Sequence, residues 1–441
     1  MSRAIFLMLV ILLQACTAPP PAPDTPGSPA AFAERAEQMI IVAVDDPPEG
    51  LPRPGSTPRA RYSGLAGYAG GSAGAAASAA LADENGLQEQ AFWSIAPLQW
   101  RCMLYRLAPG ADKDAVMSRL ARDSRVRLVQ NLNEFETLAT VAEPTSRAAR
   151  PEASADGYDD PYLDLQRGFA AIQALQAQRW SRGEGVRIAL VDTGVDARHP
   201  DLLGRVAEQR DMVGGSNRAT PGGESHGTQM AGVIAATANN RIGIVGVAPD
   251  ARLLLYRACW PVAAGASRCN SYTLAQALAA AIEAGADIIN LSLGGPADPL
   301  LQRLVEQALR NGTIVVGAVP PGGVMTGFPV GVAGVLAVAS SDDAAPVADV
   351  LAAPGRDILT LAPGGQYGYA SGSSLAAAHV SGAVAVLRSL QPGLRAGLAQ
   401  AWLKPAVGHS PIDLCRAIQR LKPRADCRPS AVAARAASGT P

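Results

Sequence analysis

Residues 369–390 read YASGSSLAAAHVSGAVAVLRSL. From Ser374 to Leu387 almost every position is Ala, Val, Leu, Gly or His, which predicts a helix apolar on all sides and buried in an enzyme-sized domain. A glycine-serine turn leads into it, so Ser374 falls at the helix N-terminus, where unpaired N–H groups and the positive dipole end favour negative charge. A hydroxyl there can act as a nucleophile, with the developing oxyanion held by the serine's own backbone N–H. The simpler alternative is that Ser371, Ser373 and Ser374 only cap a core helix, and the choice rests on the rest of the chain.

The chain has 441 residues, 48% hydrophobic and 17% charged, which suits a large core with accessory segments. Lys+Arg 38 balance Asp+Glu 38, which argues against a nucleic-acid partner or a broadly basic membrane face. At the N-terminus Arg3 precedes the apolar run Ala4 to Leu13, too short to span a bilayer, and then Leu13-Gln14-Ala15-Cys16. That stretch resembles a bacterial lipoprotein signal, with Cys16 as the acylated first residue of the mature protein; the alternative is an ordinary secretory signal cut nearby. Three acyl chains, at roughly 0.8 kcal/mol per buried CH₂, would hold the protein on a membrane without a spanning helix. Thr17 after the cysteine fits sorting to the outer membrane, again by resemblance. An exported protein meets an oxidising compartment. Cys259 and Cys269 flank a Gly/Ala/Ser-rich loop and Cys415 and Cys427 a short C-terminal segment, so two local disulfides are expected, each contributing about 2 to 3 kcal/mol. Cys102 is left over, and the spacings match no zinc pattern.

Composition divides the chain into a signal (1–16), a proline-rich tether (17–37), a small domain (38–140), a linker (141–159), a large domain (160–405) and a C-terminal tail (406–441). In the small domain, strands are expected at Met39 to Val44, Phe92 to Ala96, Arg101 to Leu107 and Val126 to Leu132. The Gly/Ala-rich stretch Ala69 to Glu84 is expected to be a loop turning into a helix, with disorder as the alternative, and another helix is expected at Ala111 to Arg122. Strand-helix-strand-strand-helix-strand is a ferredoxin-like order. The linker is polar and proline-bearing, the kind of segment a protease cuts. In the large domain the apolar runs Val186 to Val191, Arg252 to Tyr256, Ile288 to Leu293, Thr313 to Val319 and Val335 to Ala339 alternate with helical segments at Thr228 to Ala236, Thr273 to Ala284 and Leu300 to Asn311. This predicts an α/β fold with a mostly parallel buried sheet, helices on both faces and a site at the carboxyl ends of the strands.

Asp192 closes the first of those strands. Of the four histidines, His379 follows Ser374 by five positions on one helix, about 140° around it, and cannot meet that hydroxyl. His409 sits in the tail, and His199 immediately precedes a proline turn. His226, at the start of a small-residue helix, is left as the base between a strand-end Asp and a helix-end Ser.

From Asp160 to about Leu403 the chain resembles a subtilisin-family (subtilase) serine protease. The resemblance is carried by Asp192-Thr193-Gly194-Val195-Asp196 with His199-Pro200-Asp201-Leu202, by His226-Gly227-Thr228 with Ala231-Gly232, and by Gly372-Ser373-Ser374-Leu375-Ala376 with His379-Val380-Ser381-Gly382. Gly246-Val247-Ala248-Pro249 and Asn290-Leu291-Ser292-Leu293-Gly294-Gly295 stand where the family has its GVAP stretch and its substrate-binding strand. The resemblance implies a triad in which Ser374 attacks, His226 carries the proton and Asp192 fixes the imidazole. It also implies a strand, Leu291, Ser292, Leu293, Gly294 and Gly295, that pairs with an extended polypeptide substrate. The small domain correspondingly resembles the family's inhibitory propeptide, bound in cis, and the linker its processing site. An imidazole base acts from its neutral form, so a neutral or mildly alkaline optimum is expected. No nucleotide or catalytic metal is implied; calcium sites occur in the family, but no ligand cluster can be assigned from these residues.

Two positions depart from the family. Pro321, in Pro320-Pro321-Gly322-Gly323, stands where the family has the Asn whose side chain donates to the oxyanion hole, and proline offers neither a side-chain nor a backbone donor. Loss of that donor costs roughly 10²- to 10³-fold, a magnitude that comes from a subtilisin itself. The N–H of Ser374 remains, and the N–H of Gly322 or Gly323 is the expected replacement. Ala378 stands in place of the usual proline after the nucleophile, a mild change within a helix. Two readings follow: a membrane-anchored serine endopeptidase with an altered oxyanion hole, or an impaired subtilase-fold lipoprotein that binds or scaffolds peptides.

Overall fold

The computed structural model describes residues 29–47, 73–141, 157–214, 224–262, 266–343, 349–405 and 410–428. The expected signal with Cys16, the tether as far as residue 28, most of the linker, His409 and the end of the tail lie outside the described residues.

The large domain is built on a seven-stranded sheet. Its spatial order is Leu351–Ala353, Leu336–Ser340, Ile314–Ala318, Ile288–Leu291, Arg187–Asp192, Arg252–Arg257, Val206–Asp211. All neighbours are parallel. Parallel strands need cover on both faces, which is why their sequences run apolar without alternation. Ile188 and Leu190 join the core beneath the helices Ser225–Ala235 and Ser373–Leu390. Ala189 and Val191 join the opposite core, beneath Ser271–Glu283 and Pro299–Arg310. The helix Ser373–Leu390 is buried from Ser373 through Leu387, as its all-round apolar sequence requires.

The N-terminal domain is a four-stranded antiparallel sheet ordered Gln88–Ile95, Trp100–Arg106, Met39–Asp45, Val126–Asn131. With the helices Ala73–Asn85 and Lys113–Leu120 it has the ferredoxin-like order. The residues Met39 to Val44 are buried on both sides. Ile40, Val42 and Val44 face the domain's own helices with Leu81, Val116 and Leu120, while Met39, Ile41 and Ala43 enter the same core as Leu274, Leu278 and Leu301 of the large domain. The two bodies therefore share one continuous core.

A buried carboxylate fastens that seam. Asp298 caps the helix Pro299–Arg310 through the Leu301 N–H (3.0 Å) and also accepts from Gln130 Nε2 (2.8 Å), Asn133 Nδ2 (2.9 Å) and Ser271 Oγ (2.6 Å). Gln130 in turn accepts the Leu300 N–H.

Three boundaries differ from expectation. Pro29–Ala33 is helical and Phe32 packs edge-on against Tyr272, so the last part of the expected tether is docked structure. At the other end Leu414–Leu421 is a helix whose Leu414, Ala417 and Ile418 join the main core, so the domain runs well past residue 405. Their i, i+3, i+4 spacing carries that information. Finally, residues 134–141 leave the N-terminal sheet altogether: Glu134–Thr137 pairs with strands of the large domain and Thr140–Val141 with Gln366–Ser371. Both expected disulfides are formed, Cys259–Cys269 and Cys415–Cys427, and Cys102 is free and buried.

Asp298→Ala leaves several buried donors unpaired and removes a helix cap, which is expected to cost about 2 to 4 kcal/mol. Chemical denaturation of the full chain checks this, with Asp298→Asn expected to retain part of the loss.

Candidate active site

Asp192 ends the interior strand Arg187–Asp192, His226 is the second residue of the helix Ser225–Ala235 and Ser374 is the second residue of the helix Ser373–Leu390. Their side chains meet. His226 Nδ1 lies 2.6 Å from Asp192 Oδ1, and His226 Nε2 lies 3.1 Å from Ser374 Oγ. All three residues are 3% exposed or less. Such a chain of contacts permits proton transfer from the hydroxyl to the imidazole while the carboxylate fixes the ring.

Backbone contacts hold the parts in register. Gly227 N–H donates to Thr193 Oγ1, Asp196 N–H donates to Thr228 Oγ1, and Gly194 N–H donates to the Glu224 carboxylate. A Cβ on Gly227 would sit 2.7 Å from the Thr193 carbonyl oxygen, so only glycine lets the histidine helix approach the aspartate loop. Residues 246–248 donate to the carbonyls of Ala236, Val233 and Ile234, closing the end of the same helix. Glu224 is itself paired with Arg257 (2.5 Å), which also reaches Asp211 (3.1 Å). The sequence gives no motif for this ion network, because its members are separated along the chain.

The other described histidines stay apart from the triad. His379 Nδ1 bonds the Leu375 carbonyl within its own helix, and burial pulls its pKa down to about 4. His199 contacts the Gln366 carbonyl through Nε2 and accepts the Asp201 N–H at Nδ1.

Beside Ser374 the sheet leaves an edge on which residues 134–138 lie. Leu293 and Gly294 pair antiparallel with Thr137 and Glu136, and Leu138 N–H donates to the Ser292 carbonyl at 3.3 Å. On the other side Glu134–Thr137 pairs with Ser267–Asn270, a wall not evident in the sequence. Of the five expected strand residues, Leu291 belongs to the parallel sheet and Gly295 bridges to Phe328; Ser292, Leu293 and Gly294 make the edge. Gly295 covers Phe135, which is buried edge-on against Phe328 at 5.7 Å. The decisive contact is the N–H of Ser374, which donates to the carbonyl of Leu138 at 3.3 Å.

The wall opposite Leu138 is the Pro320–Gly323 turn. Gly323 N–H donates to the Pro320 carbonyl at 3.1 Å and Gly322 has φ +84°, the signature of a type II turn with Pro321 at its second position. Gly323 is thus committed inside the turn, which removes it as an oxyanion donor and leaves Gly322 of the expected pair.

Among the described residues no group of three or more His, Cys, Asp or Glu side chains converges as a metal site. Buried Asp160 and Asp201 accept donors from the protein itself: the N–H groups of Asn239 and Asn240 for the first, Asn240 Nδ2, Ile244 N–H and Tyr367 Oη for the second. Burial pushes Asp160 up to about 6 despite those bonds.

The sequence profile of the Peptidase_S8 subtilase family matches residues 183–414, just over half of the chain. The chain belongs to the subtilase family. It is 38% identical over 244 residues to thermitase of Thermoactinomyces vulgaris, a match covering 52% of this chain and 85% of that protein. To the major intracellular serine protease of Bacillus subtilis it is 34% identical over 250 residues, covering 52% and 76%. Among solved structures, fervidolysin from Fervidobacterium pennivorans, described as a keratinolytic enzyme related to subtilisin, superposes with a TM-score of 0.67 at 23% identity. That superposition covers 87% of this chain and 61% of fervidolysin, so the likeness of fold extends into the N-terminal domain. As a subtilase the chain is a subtilisin-like serine endopeptidase acting on polypeptides.

Proposed function

We propose that Ser374, His226 and Asp192 hydrolyse the peptide bond of an extended strand held between Ser292–Gly294 and Ser267–Asn270, and that residues 134–138 are the first such strand. The observation that carries this reading is the Leu138 carbonyl at the Ser374 N–H, beside a hydroxyl already in contact with His226. Ser374 Oγ adds to the Leu138 carbonyl carbon as its proton passes to His226 Nε2. The tetrahedral oxyanion is held by the Ser374 N–H, with Gly322 N–H as the second donor. His226 then gives the proton to the nitrogen of Ala139, the C–N bond breaks, and an acyl-enzyme on Ser374 remains for water to hydrolyse. On this reading the N-terminal domain is a propeptide held in cis, and cleavage falls at Leu138–Ala139, just before the linker.

A second reading, a peptide-binding module with little turnover, is favoured by one observation: Pro321 supplies no donor to the oxyanion. A fluorophosphonate probe separates the two. Labelling of the signal-less wild type but not of Ser374→Ala, together with a Ser374-dependent fragment beginning at Ala139, is expected; equal labelling of both proteins with the N-terminal domain attached removes the protease reading. With Gly322 N–H as the second donor, Pro321→Asn is expected to leave kcat and KM within about threefold; a rise in kcat toward about 10²-fold at little-changed KM shows that the second donor is missing and removes Gly322 from that role.

The lipoprotein-like signal adds a location. Acylation of Cys16 would place the enzyme on the outer membrane, lifted by the proline-rich residues that follow. Metabolic labelling with an alkyne fatty acid is expected to mark the wild type and not Cys16→Ser; a wild type without label rules the anchor out.

A further inference from the structure

We propose that Arg268 makes the cleft selective for peptides with acidic side chains two and four residues before the residue whose carbonyl faces Ser374. This rests on residues 134–138 occupying the place of a substrate. Arg268 lies on the strand Ser267–Asn270, directly opposite Glu136 in the antiparallel register. Its guanidinium reaches Glu136 Oε1 at 3.7 Å through Nε and Glu134 Oε2 at 3.6 Å through Nη1.

Strand alternation explains why both glutamates can be read by one arginine. Residues two apart on a strand share a face, so Glu134 and Glu136 point outward together while Phe135 between them is buried. The backbone ladders on either side bind any sequence; only the side chains discriminate. Phe135 fills an apolar space, and Arg268 reads charge along the solvent side. The strand that carries Arg268 is braced from behind, since Arg268 pairs with Trp260 on the neighbouring strand Cys259–Pro261, and the Cys259–Cys269 disulfide ties the same two strands one position along. The guanidinium is thus presented from a fixed backbone. Its side chain is 47% exposed, so each pair is partly screened and the selectivity is about two- to fivefold per glutamate, strongest at low salt.

The test has one arm that does not need hydrolysis. In full-length Ser374→Ala, reversing both charges (Glu134→Lys with Glu136→Lys) is expected to speed amide exchange in residues 134–138 by about fivefold or more. Adding Arg268→Glu should bring it back to within about twofold, and about 0.5 M salt should flatten the difference. Exchange that ignores these charges overturns the proposal. With Ser374 intact, kcat/KM for a Glu-Phe-Glu-Thr-Leu peptide should exceed that for Lys-Phe-Lys-Thr-Leu, and Arg268→Glu should invert the order. Equal cleavage of both peptides by both proteins overturns the selectivity while leaving the hydrolase reading intact. If no Ser374-dependent cleavage occurs, the hydrolase reading falls and the exchange arm alone decides the role of Arg268.

Discussion

The structure turns on a buried line of contacts from Asp192 through His226 to Ser374, because each member belongs to a different element and none can be placed without the other two. A strand end, a helix start and a second helix start must arrive within hydrogen-bond reach. Only a tightly packed scaffold holds such tolerances. The parallel sheet sets the height of Asp192, the Gly227 approach brings in the histidine helix, and the helix behind Ser374, buried through Leu387, leaves that serine little freedom to move. Arg257 and Glu224 tie the same corner electrostatically, the glutamate bridging the arginine to the N–H of Gly194 on the aspartate loop. With side chains only 13% and 10% exposed, that pair would be costly to break from one side.

The second constraint is an edge. A sheet edge exposes unpaired N–H and C=O groups, and the one beside Ser374 attracts any extended chain. Here residues 134–138 satisfy it from within, hydrogen-bonded to Ser267–Asn270 on one side and to Ser292–Gly294 on the other. The N-terminal domain delivers that strand. Its sheet packs on the helices Ser271–Glu283 and Pro299–Arg310, and Asp298, Gln130 and Asn133 fix the spot where the chain leaves the sheet for the cleft. Docking of the domain and occupation of the cleft are therefore one packing event.

How much of this could be read beforehand follows from the physics of each part. The parallel strands and the helix behind Ser374 announced themselves because burial on both sides demands uninterrupted apolar sequence. The triad was legible because its residues sit at the ends of such runs. By contrast, Val206–Asp211 reads VAEQRD; it is an edge strand, half-exposed along most of its length, and periodicity does not mark it. The cleft occupant was invisible for a related reason: Glu-Phe-Glu-Thr alternates as any short strand does, and nothing local says that its partners lie more than 130 residues further along the chain. The Arg257 network likewise joins residues brought together only by the fold.

The Pro-Pro turn shows how a substitution that looks like a simple loss can also shape a site. Proline at position 321 gives up a donor, yet its fixed φ suits the second place of the turn that the Gly323 N–H closes onto Pro320, and glycine at 322 supplies the left-handed third place. A turn so constrained resists deformation. It presses Pro320 Cγ to within 3.1 Å of where a side chain on Gly294 would begin, while Leu138 Cδ1 lies 3.2 Å from the same point. Pro320 and Leu138 thus both border the space above Gly294, on the side where the customary amide is absent. On the proposed reading, discrimination at this position depends on shape, and the electrostatic work falls more heavily on backbone N–H groups. Backbone dipoles fixed by a rigid turn need no reorganisation as charge develops, which is the property an oxyanion site requires.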